Sequence, residues 1–223
     1  MINSKNLTSE QYKQKLAKHI QEIENNTGAE LVLAVATESG RYDRAESIWG
    51  VFIGLIMLSF QTPLEEWILK YFWTGLMVKL IAQSLLFVAG FIFGSLVASY
   101  CHPLRGLFIS NQEKEDELTR TSYALLGQAK KQTSRAILLV YVSLFERKVI
   151  VLGDDALMSL LVDSELAMMR DCILESFARK KYYSGLKDCI LKAGEILSKK
   201  FPDKEDEQGQ KLVNHVRFFH PRP

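Results

Sequence analysis

Ala136-Ile137-Leu138-Leu139-Val140-Tyr141-Val142-Ser143, followed by Leu144-Phe145-Glu146-Arg147 and then Lys148-Val149-Ile150-Val151-Leu152, is the stretch that decides the fold. The first run is apolar throughout, β-rich and too short for an ordinary helix, so it reads as a strand buried on both faces. The second run is shorter and of the same kind, and the break between them makes a β-hairpin. No glycine stands in that break, so the turn type is left open. A strand with two apolar faces needs neighbours on both sides, and the rest of the chain must supply them.

Working upstream, Lys114 to Lys131 is a charged helix with a small inward face at Leu118, Ser122, Leu125 and Ala129. Near the start of the chain, Thr8 and Gln11 have the spacing of a capping box, and Tyr12, Leu16, Ile20 and Ile23 recur at helical spacing. Asn25-Asn26-Thr27-Gly28 should stop that helix, and Ala29 to Thr37 reads as another buried strand. Downstream, helices are expected over about Ser164 to Arg179 and Tyr182 to Lys200, the latter with Leu186, Ile190, Ala193 and Leu197 on one face. Phe201-Pro202 ends it, and residues 203–223 are expected to be a polar, mobile tail. The strands at Ala29 and Ala136 are expected to lie parallel, with the helix before Ala136 as crossover. The fold class is therefore α/β: a small mixed sheet sandwiched by helices.

Into this α/β frame the sequence inserts an apolar block. Ser47 to Leu64 holds eighteen residues without a charge, and Leu80 to Cys101 holds twenty-two. At about 1.5 Å per residue each can cross a hydrocarbon core of about 30 Å. The strongly apolar part of the first runs only from Ile48 to Phe60, so a buried core helix is its simpler alternative. Between the two, Thr62-Pro63-Leu64-Glu65 carries an N-cap, a proline at the first helical position and a capping-box Glu. Trp67, Tyr71 and Trp73 are placed at headgroup level, with a bend near Gly75. Gly50 and Gly54, and Gly90 and Gly94, each form a G-x-x-x-G pair that lets a neighbouring helix come close. The expected division is residues 1–44 and 106–202 as two parts of one domain, 45–105 as a two-helix transmembrane hairpin, and 203–223 as tail.

Composition narrows the function without naming it. The chain of 223 residues is 48% hydrophobic and 24% charged, which excludes general disorder. A net charge of +2 and a pI near 8.3 give no mandate for nucleic acid. Three cysteines, Cys101, Cys172 and Cys189, make no disulfide framework and argue for free thiols. The polar start Met1-Ile2-Asn3-Ser4-Lys5-Asn6 shows no cleavable signal. There is no phosphate loop, no dinucleotide fingerprint and no nucleophile elbow, and His19, His102, His215 and His220 share no metal-ligand spacing. Glu30, Glu146, Asp154 and Asp155 fall at strand ends, where gathered oxygens would hold a hard cation such as calcium. The simpler alternative is that they are solvated caps and turn residues.

Thr27-Gly28-Ala29-Glu30-Leu31-Val32 after an amphipathic helix, the run from Ala136 to Val149 with its Ser143-Leu144-Phe145-Glu146-Arg147 hairpin, and the closing Gly194-Glu195-Ile196-Leu197 with Phe201-Pro202 together resemble the TPM domain family. The resemblance covers about residues 8 to 202 and is to the bacterial membrane-protein branch, in which a hydrophobic segment interrupts the domain after its first strand. Where that branch usually has Thr-Gly before the second strand, this chain has Ser134-Arg135. The resemblance implies an α/β sandwich. Relatives include phosphatases, calcium binders and accessory factors in membrane-complex assembly, and no catalytic motif from those activities maps onto this chain.

Two functions are therefore expected. The first is a membrane-anchored interaction or assembly module, partnered by the bilayer and a membrane protein, with a homo-oligomer through the membrane helices as a further expectation. The alternative is a weak metal-assisted phosphatase using the acidic strand ends. A transporter subunit is disfavoured, because the spans hold no ionisable residue at mid-depth. Arg41, Arg44, Arg105 and Lys114 flank the outer ends of the spans, against Lys70 and Lys79 between them with Glu65 and Glu66 nearby. That bias places a multi-pass protein in the cell membrane with its soluble parts in the cytoplasm.

Overall fold

A computed structural model describes residues 10–60, 75–101, 104, 106–202, 216–220 and 223. The expected cap at Thr8, the helix start at Thr62-Pro63-Leu64-Glu65, the aromatic residues Trp67, Tyr71 and Trp73, and His102 and His215 lie outside the described residues. So does the expected mobility over 203–215. The elements in chain order are α1 (Glu10–Glu24), β1 (Ala29–Ala36), α2 (Asp43–Ser59), α3 (Leu76–Tyr100), α4 (Asn111–Lys130), β2 (Ala136–Ser143), β3 (Lys148–Gly153), the short α5 (Asp155–Met158), α6 (Asp163–Ala178), α7 (Tyr182–Lys200) and β4 (Val216–Phe219). The protein is mixed α/β and mostly helical.

The chain divides into two units, one formed by Met1–Gly40 with Lys114–Pro223 and the other by Arg41–Glu113. The first holds a four-stranded sheet in the order β3-β2-β1-β4. β1 runs parallel to β2, with Ala29 opposite Ala136 and Ala36 opposite Ser143. β2 and β3 form the antiparallel hairpin, with Ser143 opposite Lys148. Every residue of β1 and of β2 is buried, because helices cover both faces. On one face Leu31, Leu33 and Val35 with Leu138, Val140 and Val142 meet α1, α6 and α7 through Leu16, Ile20, Met169, Ile173 and Ile190. On the other, Val32, Ala34 and Ala36 with Ile137, Leu139 and Tyr141 belong to one apolar layer with Leu118, Leu125 and Ala129 of α4. The period of two along each strand thus sorts one apolar run into two cores.

β4 corrects the expected tail: Val216–Phe219 pairs parallel with β1, with Leu33 opposite Val216 and Ala36 opposite Phe219. Val216-Arg217-Phe218-Phe219 is short and follows a polar run, so its apolar content was outweighed by what precedes it. Two glycines, Gly194 and Gly28, sit at close approaches. A Cβ on Gly194 of α7 would stand 2.7 Å from Ile23 of α1, and one on Gly28 would stand 3.1 Å from Phe201. Gly28 N–H donates to the Phe201 carbonyl at 2.9 Å, which ties the end of α7 to the start of β1.

The second unit is built on α2 and α3, which pack antiparallel. Gly50 faces Phe91 and Ser95, and Gly54 faces Phe87. A Cβ on Gly90 would lie 2.9 Å from the Gly54 Cα, and one on Gly94 would lie 2.7 Å from the Trp49 carbonyl oxygen. The missing side chains are what let the two backbones approach. Gly75 caps α3 in an extended conformation, so the helix begins at Leu76.

Candidate functional site

The four acidic residues at the strand ends do not meet. Glu30, the second residue of β1, is fully buried and its Oε1 lies 3.4 Å from Nη1 of Arg135, itself buried just before β2. Arg135 Nη2 also donates to the Thr27 carbonyl at 2.5 Å. Asp154 lies at the same end of the sheet, since its N–H donates to Ile137 O, and Ile137 is opposite Glu30. Its carboxylate caps α5 by accepting from Leu157 N–H at 3.2 Å and accepts from Lys130 Nζ at 2.5 Å. Asp155 is exposed in the first turn of α5.

Glu146 belongs to the opposite end, beyond Ser143, which is six residues further along β2 than Ile137. At about 3.3 Å per residue that is roughly 20 Å away. The parallel β1–β2 register carries Glu30 and Glu146, two of the four expected cation ligands, to opposite ends of the sheet. Among the described residues no group of three or more His, Cys, Asp or Glu is placed to hold a metal ion.

The end of the sheet where the parallel strands finish is the place where open α/β sheets usually bind ligands. Here it carries a hydroxyl and carboxylate network. Glu146 Oε1 accepts from Ser39 N–H at 2.9 Å, and its other oxygen accepts from the Ser143 hydroxyl. The Tyr141 hydroxyl donates to Ser39 Oγ at 2.9 Å, and Thr121 Oγ1 donates to the Ser39 carbonyl at 3.0 Å. Burial, with Glu146 nearby and against the Ser39 hydrogen bond, pushes the Tyr141 phenol up to about 12. Thr37 Oγ1 and His220 Nδ1 are 2.9 Å apart and link the ends of β1 and β4. The network fastens the β2–β3 turn to the residues after β1. Sequence reasoning missed Ser39, Thr121, Tyr141, Lys130 and Arg135 as partners. Only Arg135 left a signal, as a long cation where the resembled family has glycine.

Next to this turn, between the start of β3 and the α6–α7 junction, is a cavity of about 650 Å³. Leu144, Val149, Leu174 and Phe177 are among its apolar walls, and Arg147, Lys148 and Lys180 also line it. The three cysteines are free thiols, as their odd number suggested. Burial pushes the Cys189 thiol up to about 12, which keeps it protonated at neutral pH. His19 is a surface residue of α1, 3.5 Å from Glu22.

The α2–α3 pair presents a different kind of surface. Lys79–Tyr100 spans twenty-two residues, is long and apolar enough to cross a membrane, and is only 11% buried. Among the described residues it is the one helix that meets that test. α2 is seventeen residues long and begins with Asp43, Arg44 and Glu46. Phe52, Leu55, Leu85, Ile92 and Phe93 are each at least half exposed. At the end of the pair where α2 starts, the Trp49 indole donates to the Leu104 carbonyl at 2.8 Å and packs edge-on against Phe52 and Phe108.

No protein-family model and no curated protein matches the chain. Among solved structures, the chain is similar to the NMR structure of the BA42 protein from the psychrophilic bacterium Bizionia argentinensis, at 18% identity and a TM-score of 0.47. That match covers 95% of this chain and 94% of the other.

Proposed function

We propose that the chain is a membrane-anchored, TPM-like module that serves membrane complexes as an interaction or assembly accessory, with α2 and α3 as its hairpin in the bilayer. The observation that carries this reading is the exposure of α3. An apolar surface of this size facing water would be strongly unfavourable, at about 25 cal/mol per Å², and a bilayer removes the penalty. The antiparallel pairing supports a hairpin, because the start of α2 and the end of α3 emerge together. Arg41, Arg44, Arg105 and Lys114 flank that end in sequence, which favours the cytoplasmic side for both chain ends. The phosphatase alternative draws on a four-carboxylate set that the sheet divides, and it gives way to the module.

Alkaline carbonate washing of membranes should leave the protein in the pellet, and reporters fused at Lys5 and Pro223 should both read cytoplasmic. Release by carbonate, or reporters on opposite sides, overturns the hairpin anchor. Crosslinking in intact membranes followed by purification should then recover a membrane-protein partner.

A further inference from the structure

Two positions in the soluble unit adopt a backbone that ordinarily selects glycine, and both carry a cation instead. Arg147 closes the β2–β3 turn at φ 54° and Lys180 follows α6 at φ 60°; they are the only non-glycine residues with positive φ among those described. At Lys180 the reason is visible. Lys180 N–H donates to Phe177 O and Lys181 N–H to Ser176 O, the paired bonds of a helix end whose left-handed position is usually glycine. A side chain there is disfavoured relative to the right-handed form, because its Cβ crowds the carbonyl oxygen. Strain of this kind concentrates at ligand clamps. Arg147 and Lys180 lie far apart in sequence, yet both line the cavity beside the turn, together with Lys148.

We propose that this cavity binds a single-chain amphiphilic anion, an acyl or alkyl chain carrying a carboxylate or phosphate. Its volume, about 650 Å³, falls within the range of about 300–1,000 Å³ usual for small-molecule sites. Leu144, Val149, Leu174 and Phe177 offer the tail an apolar wall, and no acidic residue among those described lines the cavity. Lys148 is paired with Glu115, whereas Arg147 and Lys180 form no ion pair among the described residues. Tyr182, the first residue of α7, also lines the cavity. The inference goes beyond the membrane anchor, and only the nanodisc format of its test rests on that reading.

The test is calorimetric titration of the full chain in phosphatidylcholine nanodiscs with hexyl phosphate, against inorganic phosphate, hexanol and hexyltrimethylammonium. Hexyl phosphate should bind at least tenfold more tightly than any of the three, and more weakly as salt rises. The double variant Arg147→Gly with Lys180→Gly should melt at the same or a higher temperature, since glycine suits both backbones, while losing at least tenfold in affinity. Persistence of the hexyl phosphate signal in phosphatidylglycerol nanodiscs supports a free single-chain amphiphile, and its loss there, where a two-chain anionic lipid displaces it, overturns the single-chain assignment. Equal binding of hexanol, of the ammonium or of phosphate alone overturns the proposal. So does affinity that survives in the double variant.

Discussion

The guanidinium of Arg135 is buried at the starting end of the sheet, and what it holds decides what its removal costs. It faces the fully buried Glu30 and donates to the Thr27 carbonyl, so it joins the approach to β2 to the entry of β1. Truncating Arg135→Met alone leaves the Glu30 carboxylate with its guanidinium gone in a dry site, which costs about 3–5 kcal/mol. Melting should fall by roughly 10 °C, given about 2–4 °C per kcal/mol for a chain of this size. Glu30→Met with Arg135→Met should recover most of the loss, because the desolvation penalty disappears with the pair; a double variant as unstable as the single would show that the Thr27 bond dominates. Tyr141 gives a pH-dependent counterpart. Its phenol is held near 12 in the fold against an ordinary 10, so the unfolded chain releases the proton first as pH rises. Stability is therefore complete below about pH 10 and is lost between 10 and 12, by roughly 2–3 kcal/mol for a shift of this size. Melting curves across that range should be flatter in Tyr141→Phe than in the parent chain. Tyr141 did not announce its role in the sequence. A tyrosine inside an apolar run reads as core, and its bond to Ser39 joins residues 102 positions apart.

At the scale of elements, legibility followed the length of the periodic signal. β1, β2, β3, α4, α6 and α7 were readable because each carries a run of apolar residues at one clear period. The parallel pairing of β1 with β2 followed from the need to cover two apolar faces. The four residues of β4 were not readable, since so short a strand is defined by its edge position beside β1 rather than by a pattern of its own. The separation of Glu30 from Glu146 was not readable for a related reason: strand ends are visible in a sequence, but which ends coincide is set by strand direction. The glycine pairs of α2 and α3 are a local signal with a direct test. Gly54→Leu would drive its side chain into Phe87, and Gly90→Leu into the Gly54 backbone, and overpacking of this kind costs about 1–3 kcal/mol. Each variant should melt lower in detergent than the parent chain. Gly127 is the internal control, an exposed position in α4 where an added methyl would meet nothing within 4 Å, so Gly127→Ala should stabilise by up to about 1 kcal/mol. If Gly54→Leu and Gly90→Leu melt as the parent does, the close approach of the two helices is not what holds the pair.

For the whole molecule the question is whether the sheet-bearing unit is complete without the residues inserted into it. Its chain is interrupted between Gly40 and Lys114, and the two sides of that break are neighbours. A Cβ on Gly40 would lie 2.5 Å from the Glu117 side chain, and Thr121 donates to the Ser39 carbonyl. A short linker can therefore span the gap without straining either β1 or α4, and closing a short loop costs little entropy. Both faces of β1 and β2 are covered by helices of the same unit, so its two apolar layers do not need α2 or α3. Replacing residues 41–113 with a short Gly/Ser linker should thus give a soluble protein with a single cooperative thermal transition and a native near-UV circular dichroism spectrum. The same protein should retain the alkaline loss of stability ascribed to Tyr141, which comes chiefly from the burial of its phenol in the sheet, with Glu146 nearby. A product with helical far-UV signal but no near-UV signal and no sharp transition would be a molten state. That outcome would mean that the inserted helices contribute to folding the sheet and are a structural part of the domain instead of a separate unit set into it.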